Sequence, residues 1–416
     1  MIKRILQTSA NKILRIHALR QSFPNLPSKP LLVLLLLVFF KQAGNGMVWS
    51  VLALNGQHLG ASAAVVGFMI SLYGGTRLVI NIPAGFASEK YGRRRMMSAG
   101  CAMLALSSLW VVFTDDLVSF FIAVILQGLA SSVFMTSALA AVADLGTPGR
   151  RIEDMSLYQA ANMIGASMGP AIGGLTASLW GFDAPFWANG LMAVCGIVAF
   201  ASMPWREASA EKALRTRAPK GQLLVLAKQG SNVWLMYFSI FYVRSAANWI
   251  LMPLIAQDRF NLDLAHIGLI LTVGAVANVC VLGFTARINR TFGRMWTVVL
   301  ASILTLVACA LVAFGNDPIY LWISSMMFGV GGAIATPTLV AYVTDITPEG
   351  QRGPAMGMLR TSQDLALMIG PTITGLLSDH LGLGFQGGLF GCLLLLGGAT
   401  VLFRIAEGRR LAPPAA

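Results

Sequence analysis

Long apolar runs dominate this sequence of 416 residues and limit what it can fold into. Only 11% of its residues are charged, against about 25% in soluble domains. A helix needs about 20 apolar residues to cross a bilayer, and the runs predict an all-α membrane protein with twelve transmembrane helices. These are predicted at residues 31–55, 63–87, 95–113, 117–143, 156–180, 185–204, 232–256, 264–286, 295–314, 319–344, 356–378 and 385–405.

The basic residues sort the connections between these helices into two sets. Of 30 Lys and Arg, 25 lie at the two ends of the chain and in every second connection, and one, Arg259, lies in the remaining connections. Cytoplasmic loops collect Lys and Arg, which predicts cytoplasmic termini and a location in the plasma (inner) membrane. The net charge of +13 therefore reflects topology, and nucleic acid is not an expected partner.

The chain divides into two halves that repeat. We predict a basic cytoplasmic N-terminal segment (1–30), an N-terminal six-helix bundle (31–204), a cytoplasmic linker (205–230), a C-terminal six-helix bundle (231–405) and a cytoplasmic tail (406–416). A shift of 201 residues places Gly92 on Gly293 and Gly169-Pro170 on Gly370-Pro371. Repeated bundles of this kind predict pseudo-symmetric halves with a substrate site between them near the bilayer midplane.

Three stretches of the sequence resemble a known family. The connection between helices 2 and 3 reads PAGFASEKYGRRR (83–95), helix 5 contains GASMGPAIGG (165–174), and Asp-to-Arg segments follow helices 4 and 10 (144–151 and 345–352). Together they resemble the major facilitator superfamily, specifically its twelve-helix drug/proton antiporter branch. This resemblance implies a secondary transporter that works by alternating access.

The resemblance also implies roles for particular residues. It implies a conformational latch that holds the outward-facing state, formed by Gly85, Glu89, Gly92, Arg93 and Asp144, with Arg294 and Asp345 in the second copy. It implies export, because the antiporter motif is matched by Gly165, Gly169, Pro170, Gly173 and Gly174. Small residues allow close helix packing, so we expect this motif to form a tight face against the other half. The Arg usual on helix 4 of this branch is Val124 here.

Ionisable residues inside membrane spans are rare and indicate function. Away from their ends, the predicted spans contain four cations and one carboxylate, an imbalance that needs water, helix dipoles, polar neighbours or an anionic ligand to stabilise it. We predict a site for a negatively charged, amphipathic substrate at Lys41, Asn45, Arg77, Gln159, Arg244, Asn248 and Arg360. The alternative is that each cation is tied to backbone carbonyls or extends to the interface.

Proton coupling needs a group that can titrate. Asp364 is the one carboxylate in the middle of a predicted span, so it is the predicted proton carrier. Arg360 lies one turn away on the same helix face, and we expect the two to pair. A scheme without protonation, in which one anion is exchanged for another, is the alternative.

Three functions are compatible with the sequence. The first is proton-coupled efflux of a small organic compound, the second is uptake or exchange of an organic anion, and the third is a non-transporting membrane receptor. The sequence contains no nucleotide-binding, metal-binding or nucleophile motif, so we expect no enzyme activity, catalytic residue, metal or cofactor. The expected partners are a small-molecule substrate, protons and the lipid bilayer, and the expected state is a monomer.

Overall fold

The structure, a computed structural model, describes residues 28–113, 116–145, 151–202, 231–347, 352–380 and 384–411. These ranges contain twelve helical spans, as predicted. The spans are α1 (Lys29–His58), α2 (Ala63–Tyr91), α3 (Arg93–Val112), α4 (Leu117–Leu145), α5 (Arg151–Trp180), α6 (Ala184–Ser202), α7 (Ser231–Asp258), α8 (Leu264–Leu282), α9 (Thr285–Phe314), α10 (Ile319–Ile346), α11 (Arg352–His380) and α12 (Phe385–Leu411). Residues 1–27, the whole of the predicted linker (205–230) and the last five residues lie outside the described ranges.

Equivalent residues of the two halves form equivalent turns. Ser62 caps α2 and Asp263, 201 residues later, caps α8, each accepting a hydrogen bond from a backbone N–H of the first turn. Gly92 precedes α3 with φ of 93°, and Gly293 interrupts α9 with φ of 75°. Backbone with positive φ favours glycine. The predicted repeat is therefore present in local structure as well as in sequence.

Two of the twelve spans differ from the rest in composition. Ten helices of the described part are long and apolar enough to cross a membrane, and α5 and α11 are not among these ten. These two helices carry Gly169-Pro170 and Gly370-Pro371, the repeated Gly-Pro pairs. Both pack against a helix of the other half, α5 on α8 and α11 on α2. Protein rather than lipid therefore surrounds much of their surface.

We call α1–α6 the N-half and α7–α12 the C-half. The basic face of the molecule is the side that carries the α2–α3 and α8–α9 turns, and the acidic face is the opposite side. Near the acidic face the halves are joined by hydrogen bonds to carboxylates. Gln57 donates to both oxygens of Asp258 at 3.0 and 3.1 Å, and the backbone N–H of Ala64 donates to Asp379 at 3.0 Å. Gln57 and Asp258 are equivalent positions of the repeat.

Closer to the midplane, glycines bring the backbones of the two halves into contact. A Cβ on Gly67 would collide with the carbonyl oxygen of Pro371, and a Cβ on Gly268 would collide with that of Pro170. The two collisions are related by the repeat. Side chains are thus excluded from both α2–α11 and α5–α8 crossings, and the halves form a symmetric seal on the acidic side of the midplane.

Toward the basic face the halves separate. The bilayer-facing side of α5 is marked by exposed Ile164, Met168 and Leu175. Gln159 is also exposed, although it lies about 180° around the helix from that side. Arg360 of α11 is likewise exposed and lies opposite the apolar side that carries Ile373. Exposed side chains on the inner sides of both halves indicate a central cavity that opens to the basic face.

Candidate substrate site

Lys41 is buried within the N-half. Its ammonium group donates a hydrogen bond of 2.9 Å to the hydroxyl of Ser131 on α4, and the Tyr73 hydroxyl donates to the same oxygen at 3.1 Å. Only 6% of Lys41 is exposed. Within the described ranges no carboxylate lies within ion-pair distance of this ammonium. Lys41 is therefore a buried amine held by neutral groups inside the N-half.

The central carboxylate is paired across the two halves. Arg77 of α2 places a guanidinium nitrogen 3.0 Å from Asp364 of α11. The side-chain amide of Asn81 donates to the second carboxylate oxygen at 2.6 Å. The expected pairing of Asp364 with Arg360 is wrong: the partner comes from another helix, and Arg360 has no ion-pair partner among the described residues. Asp364 itself is fully buried.

Arg244 lies where α7 changes its winding. Residues Arg244–Leu251 form a π-helical segment, a feature that is frequent at functional sites. From residue 241 to residue 256, only Arg244, Asn248 and Trp249 are not buried. The guanidinium lies 5.6 Å from the Trp249 ring centroid, and no described carboxylate pairs with it. The altered winding therefore places a cation, an amide and an indole on the side of α7 that faces the cavity.

Aromatic rings connect the two cations across the boundary between the halves. Arg77 lies 5.6 Å from the ring centroid of Tyr73, which packs edge-on against Trp49 at 4.9 Å. Trp49 of the N-half contacts Trp249 of the C-half at 5.6 Å, and Arg244 covers Trp249. The result is a continuous wall of three rings with a guanidinium at each end. Such rings attract both cations and the flat apolar part of a ligand.

Several buried amides of this region lack hydrogen-bond donors. The side-chain oxygens of Asn45, Asn162 and Asn248 are buried and have no partner in the structure. Buried acceptors are normally satisfied by protein, water or a ligand. Within the described part of the chain, the region thus offers three cations without a paired acid, three free acceptors and an aromatic wall.

The predicted site residues fall into two groups by exposure. Gln159 and Arg360 are exposed and Arg77, Arg244 and Asn248 are half-buried, whereas Lys41 and Asn45 are buried. Asn81 and Ser131, the partners of Asp364 and Lys41, were not predicted. Asn81 could have been found from its spacing of four residues from Arg77 on an otherwise apolar helix. Ser131 is one of several serines on α4, and no sequence signal separates it from the others.

The predicted latch residues lie at the basic face. Arg93 contacts the Asp144 carboxylate at 3.2 Å and Ser88 at 3.2 Å. Arg294 and Asp345 form the equivalent ion pair in the C-half. Glu89 is exposed and has no ion-pair partner among the described residues. Each of these two ion pairs joins the third helix of its half, at the turn where it begins, to the end of the fourth helix of the same half.

The glycines of the α5 motif point in two directions. Gly165, Gly169 and Gly173 face α1 of the same half, and a Cβ on Gly169 would lie 2.6 Å from the Cα of Gly46. Gly174 faces α8, where a Cβ would lie 2.8 Å from the Cα of Gly268. The expectation that the whole motif packs against the other half is therefore wrong for three of its glycines. Their role is to let α1 and α5 approach each other.

Two repeated six-helix halves that meet near one face are the architecture of a secondary transporter. The sequence profile of the Major Facilitator Superfamily matches residues 34–243 and 233–416. The chain belongs to this superfamily, and it is a transporter and not an enzyme. The resemblance to drug exporters is also confirmed by its relatives.

The chain is 24% identical over 380 residues to the staphylopine export protein of Staphylococcus aureus, covering 88% of this chain and 93% of that one. It is 24% identical over 353 residues to multidrug resistance protein 1 of Bacillus subtilis (84% and 90% covered). Quinolone resistance protein NorA of Staphylococcus aureus is 22% identical over 356 residues (85% and 90%).

Solved structures share the fold. The nucleoside transporter NupG superimposes with a TM-score of 0.75 at 13% identity, covering 92% of this chain and all of that one. The human organic anion transporter MFSD10 superimposes with a TM-score of 0.65 at 20% identity, covering 91% of this chain and all of that one.

Proposed function

We propose that this transporter exports a small amphipathic organic compound that carries negative charge, with Asp364 as the proton-binding group. The observation that carries the proposal is the charge imbalance around the cavity: Lys41, Arg244 and Arg360 have no paired acid among the described residues. A charge at the centre of a span costs about 2.5–3.5 kcal/mol. An anionic ligand would offset that cost at Arg244 and Arg360, and its apolar part would pack on the half-buried rings of Trp49 and Trp249.

Alternating access is supported by where the halves touch and where they separate. The seal lies on the acidic side of the midplane, and the cavity opens to the basic face. The excess of Lys and Arg supports a cytoplasmic location for the basic face, so this conformation would load substrate from inside the cell. Opening the glycine seal while closing the basic face would expose the same cavity to the outside.

Export rather than uptake is supported by sequence. The relatives named for staphylopine export, multidrug resistance and quinolone resistance align over more than four fifths of the chain. The α5 motif of this chain matches the antiporter motif at every fixed position.

Uptake or exchange of an organic anion is the second candidate. The cationic cavity favours it, and a solved structure of the same fold is described as an organic anion transporter. The direction of flux separates the two candidates. Proteoliposomes with the protein inserted in one known orientation should show net movement from the basic to the acidic side for an exporter.

A binding screen tests the anion proposal with a matched control. Arg244 and Arg404 both lie over a tryptophan ring, at 5.6 and 4.9 Å, but Arg404 is an exposed residue of α12 that contacts Trp296 of α9 within the C-half. Thermal shifts with aromatic carboxylates, aromatic amines and zwitterions should identify acids as ligands. Arg244→Gln should weaken their binding about 10- to 150-fold, the loss of a charged hydrogen bond of about 1.5–3 kcal/mol, and Arg404→Gln should not. Stabilisation by amines alone would refute an anionic substrate.

Binding without flux in liposomes would favour a receptor.

The proton role of Asp364 has its own test, since Asp364→Asn should abolish transport driven by a proton gradient and leave ligand binding intact. Unchanged proton-driven transport in that variant would contradict the assignment.

A further inference from the structure

A groove lies on the outside of the molecule where the two halves meet. Its volume is about 450 Å³, within the range of about 300–1,000 Å³ that is typical of ligand sites. Helices α2 and α4 of the N-half form one wall, and α11 of the C-half forms the other. No charged side chain lines the groove. Its lining includes Leu72, Gly75, Ile125, Met368, Ile369 and Ile373.

The groove opens toward the bilayer. Phe68 and Ile373, two further lining residues at its edges, are exposed, and Phe68 shares its side of α2 with exposed Val79 and Ile82. At 1.5 Å per residue, Phe68 and Thr76 lie about 8 and 20 Å along α2 from its beginning at the acidic face. The groove therefore lies in the hydrocarbon region of the leaflet on the acidic side, where acyl chains surround it.

The shape and chemistry of the lining suit a plain apolar chain. The hydroxyl of Ser71 accepts hydrogen bonds from the backbone N–H and the hydroxyl of Thr372, at 3.1 and 2.8 Å. These groups of the two halves satisfy each other and need no polar ligand. A Cβ on Gly75 would lie 3.3 Å from the Met368 side chain across the groove. The missing side chain of Gly75 therefore leaves space between the two walls.

We propose that this groove binds one acyl chain of a zwitterionic phospholipid and that the bound chain holds the halves together at the acidic face. The inference goes beyond the proposed function and does not depend on which compound is carried. It concerns a second site, on the opposite side of α2 from Arg77 and the central cavity.

The effect on conformation follows from the two walls. They belong to different halves, so a chain contacts both only while the α2–α11 crossing is closed. The chain is already out of water in the bilayer, and its gain comes from packing against the protein. A ligand shifts a conformational equilibrium by the difference in its affinity for the two states. The lipid should therefore favour the state that is sealed at the acidic face.

Charges near the mouth of the groove favour a zwitterionic headgroup. Asp379 accepts a hydrogen bond from the N–H of Ala64, one helical turn before Phe68, and Asp116 caps the beginning of α4. Residues 61–76, 115–125 and 366–380 contain no Lys or Arg. These carboxylates repel an anionic headgroup and attract the ammonium group of a zwitterionic one.

Photo-crosslinking of the full-length protein in nanodiscs tests the site. Phosphatidylcholine with a diazirine on one acyl chain should label Ile125 and Ile369 more strongly than Leu394. Leu394 is exposed on α12 at a depth similar to that of Ile125, and it does not line the groove. Equal labelling of the three residues would overturn the proposal.

Two variants fill the groove from opposite walls. Ile125→Trp should abolish the excess labelling of Ile369, whereas Ile122→Trp, on the exposed side of the same helix and outside the groove, should retain it. If Ile125→Trp does not fold, Ile369→Trp fills the groove from α11 and should abolish the excess labelling of Ile125. An excess that survives in the folded variant would refute the assignment of the site.

A lipid titration tests the effect on conformation. The protein is held in a steroid-based detergent that has no acyl chain, and spin labels at the acidic ends of α4 and α10 report whether this face is sealed or open. Binding confined to the sealed state should raise the ratio of sealed to open protein about 11-fold at a phosphatidylcholine concentration of ten times the Kd. Ile125→Trp should not respond.

The same titration includes the results that contradict the inference. No rise in the ratio, or an equal rise in Ile125→Trp, would show that the groove does not hold the halves together. Phosphatidylglycerol with the same chains should need a higher concentration to reach the same ratio. An equal response to both lipids would refute the choice of a zwitterionic headgroup.

Discussion

A single methyl group on Gly174 should shift the transporter from one conformation to the other. A Cβ at this position would lie 2.8 Å from the Cα of Gly268 on α8, whereas carbon atoms pack best at about 3.5–4.0 Å. The α5–α8 crossing must therefore open by roughly 1 Å to accept alanine. Overpacking of this kind costs about 1–3 kcal/mol, which is a factor of about 5 to 150 in an equilibrium constant.

This cost falls on one conformation only. The contact belongs to the seal that joins the halves near the acidic face, and it is lost when the halves part there. Gly174→Ala should therefore shift the population toward the state open to the acidic face by about 5- to 150-fold. The distance between spin labels at Val118 and Ile319 measures this shift. These exposed residues begin α4 and α10 near the acidic face, at equivalent positions of the repeat.

The neighbouring residue provides the control. Gly173 faces α1 of its own half, where a Cβ would lie 2.5 Å from the Cα of Met47. Both helices move together, so Gly173→Ala should lower thermal stability without changing the distribution of label distances. Cys195 and Cys280 are exposed and need replacement before labelling. An unchanged distribution in Gly174→Ala, or an equal shift in Gly173→Ala, would refute the reasoning.

Three further predictions concern stability. Ser131→Ala removes the acceptor of the buried Lys41 ammonium and should cost about 1–3 kcal/mol in thermal unfolding; no loss would show that water replaces the hydroxyl. A backbone hydrogen bond from the first turn of α8 lowers the pKa of Asp263, so its stabilising contribution is present above the ordinary pKa and is lost as the pH falls through the lowered one. Asp263→Ser should remove that pH dependence from the melting temperature and keep the cap, and an unchanged pH profile would contradict this. Asp345→Asn breaks the exposed pair with Arg294 and should cost at most about 1 kcal/mol; a larger loss in a melting experiment would show a deeper role.

The sequence was sufficient to predict the helices and the repeat. Hydropathy determines where the spans lie. The constant offset of 201 residues predicts that equivalent positions share local structure, as Gly92 and Gly293 do in their positive φ. The largest difference in bounds is at α9. There, residues 285–292 form a short helical segment of about two turns before Gly293. This segment carries Arg287 and Arg290 and is too polar to be predicted as part of a span.

The partners within the site could not be predicted in the same way. Spacing along one helix predicted that Asp364 pairs with Arg360, but Asp364 pairs with Arg77 because α2 and α11 cross between the halves. The contact between Trp49 and Trp249 likewise depends on how the halves meet. The direction of each glycine in the α5 motif follows from which neighbour lies on each side. These features depend on tertiary packing between helices, and helical periodicity gives information about single helices only.

Alternating access requires that one cavity between the halves opens to one side at a time. Asn248 faces this cavity, so labelling of Asn248→Cys by a membrane-impermeant thiol reagent, with the native exposed cysteines replaced, tests the claim most directly. In oriented vesicles the protein should be labelled from the basic side, and adding Gly174→Ala should move labelling to the acidic side. Labelling from both sides at once in the parent protein would indicate a continuous pore, and labelling from neither would show that no such cavity exists; either result would contradict the account.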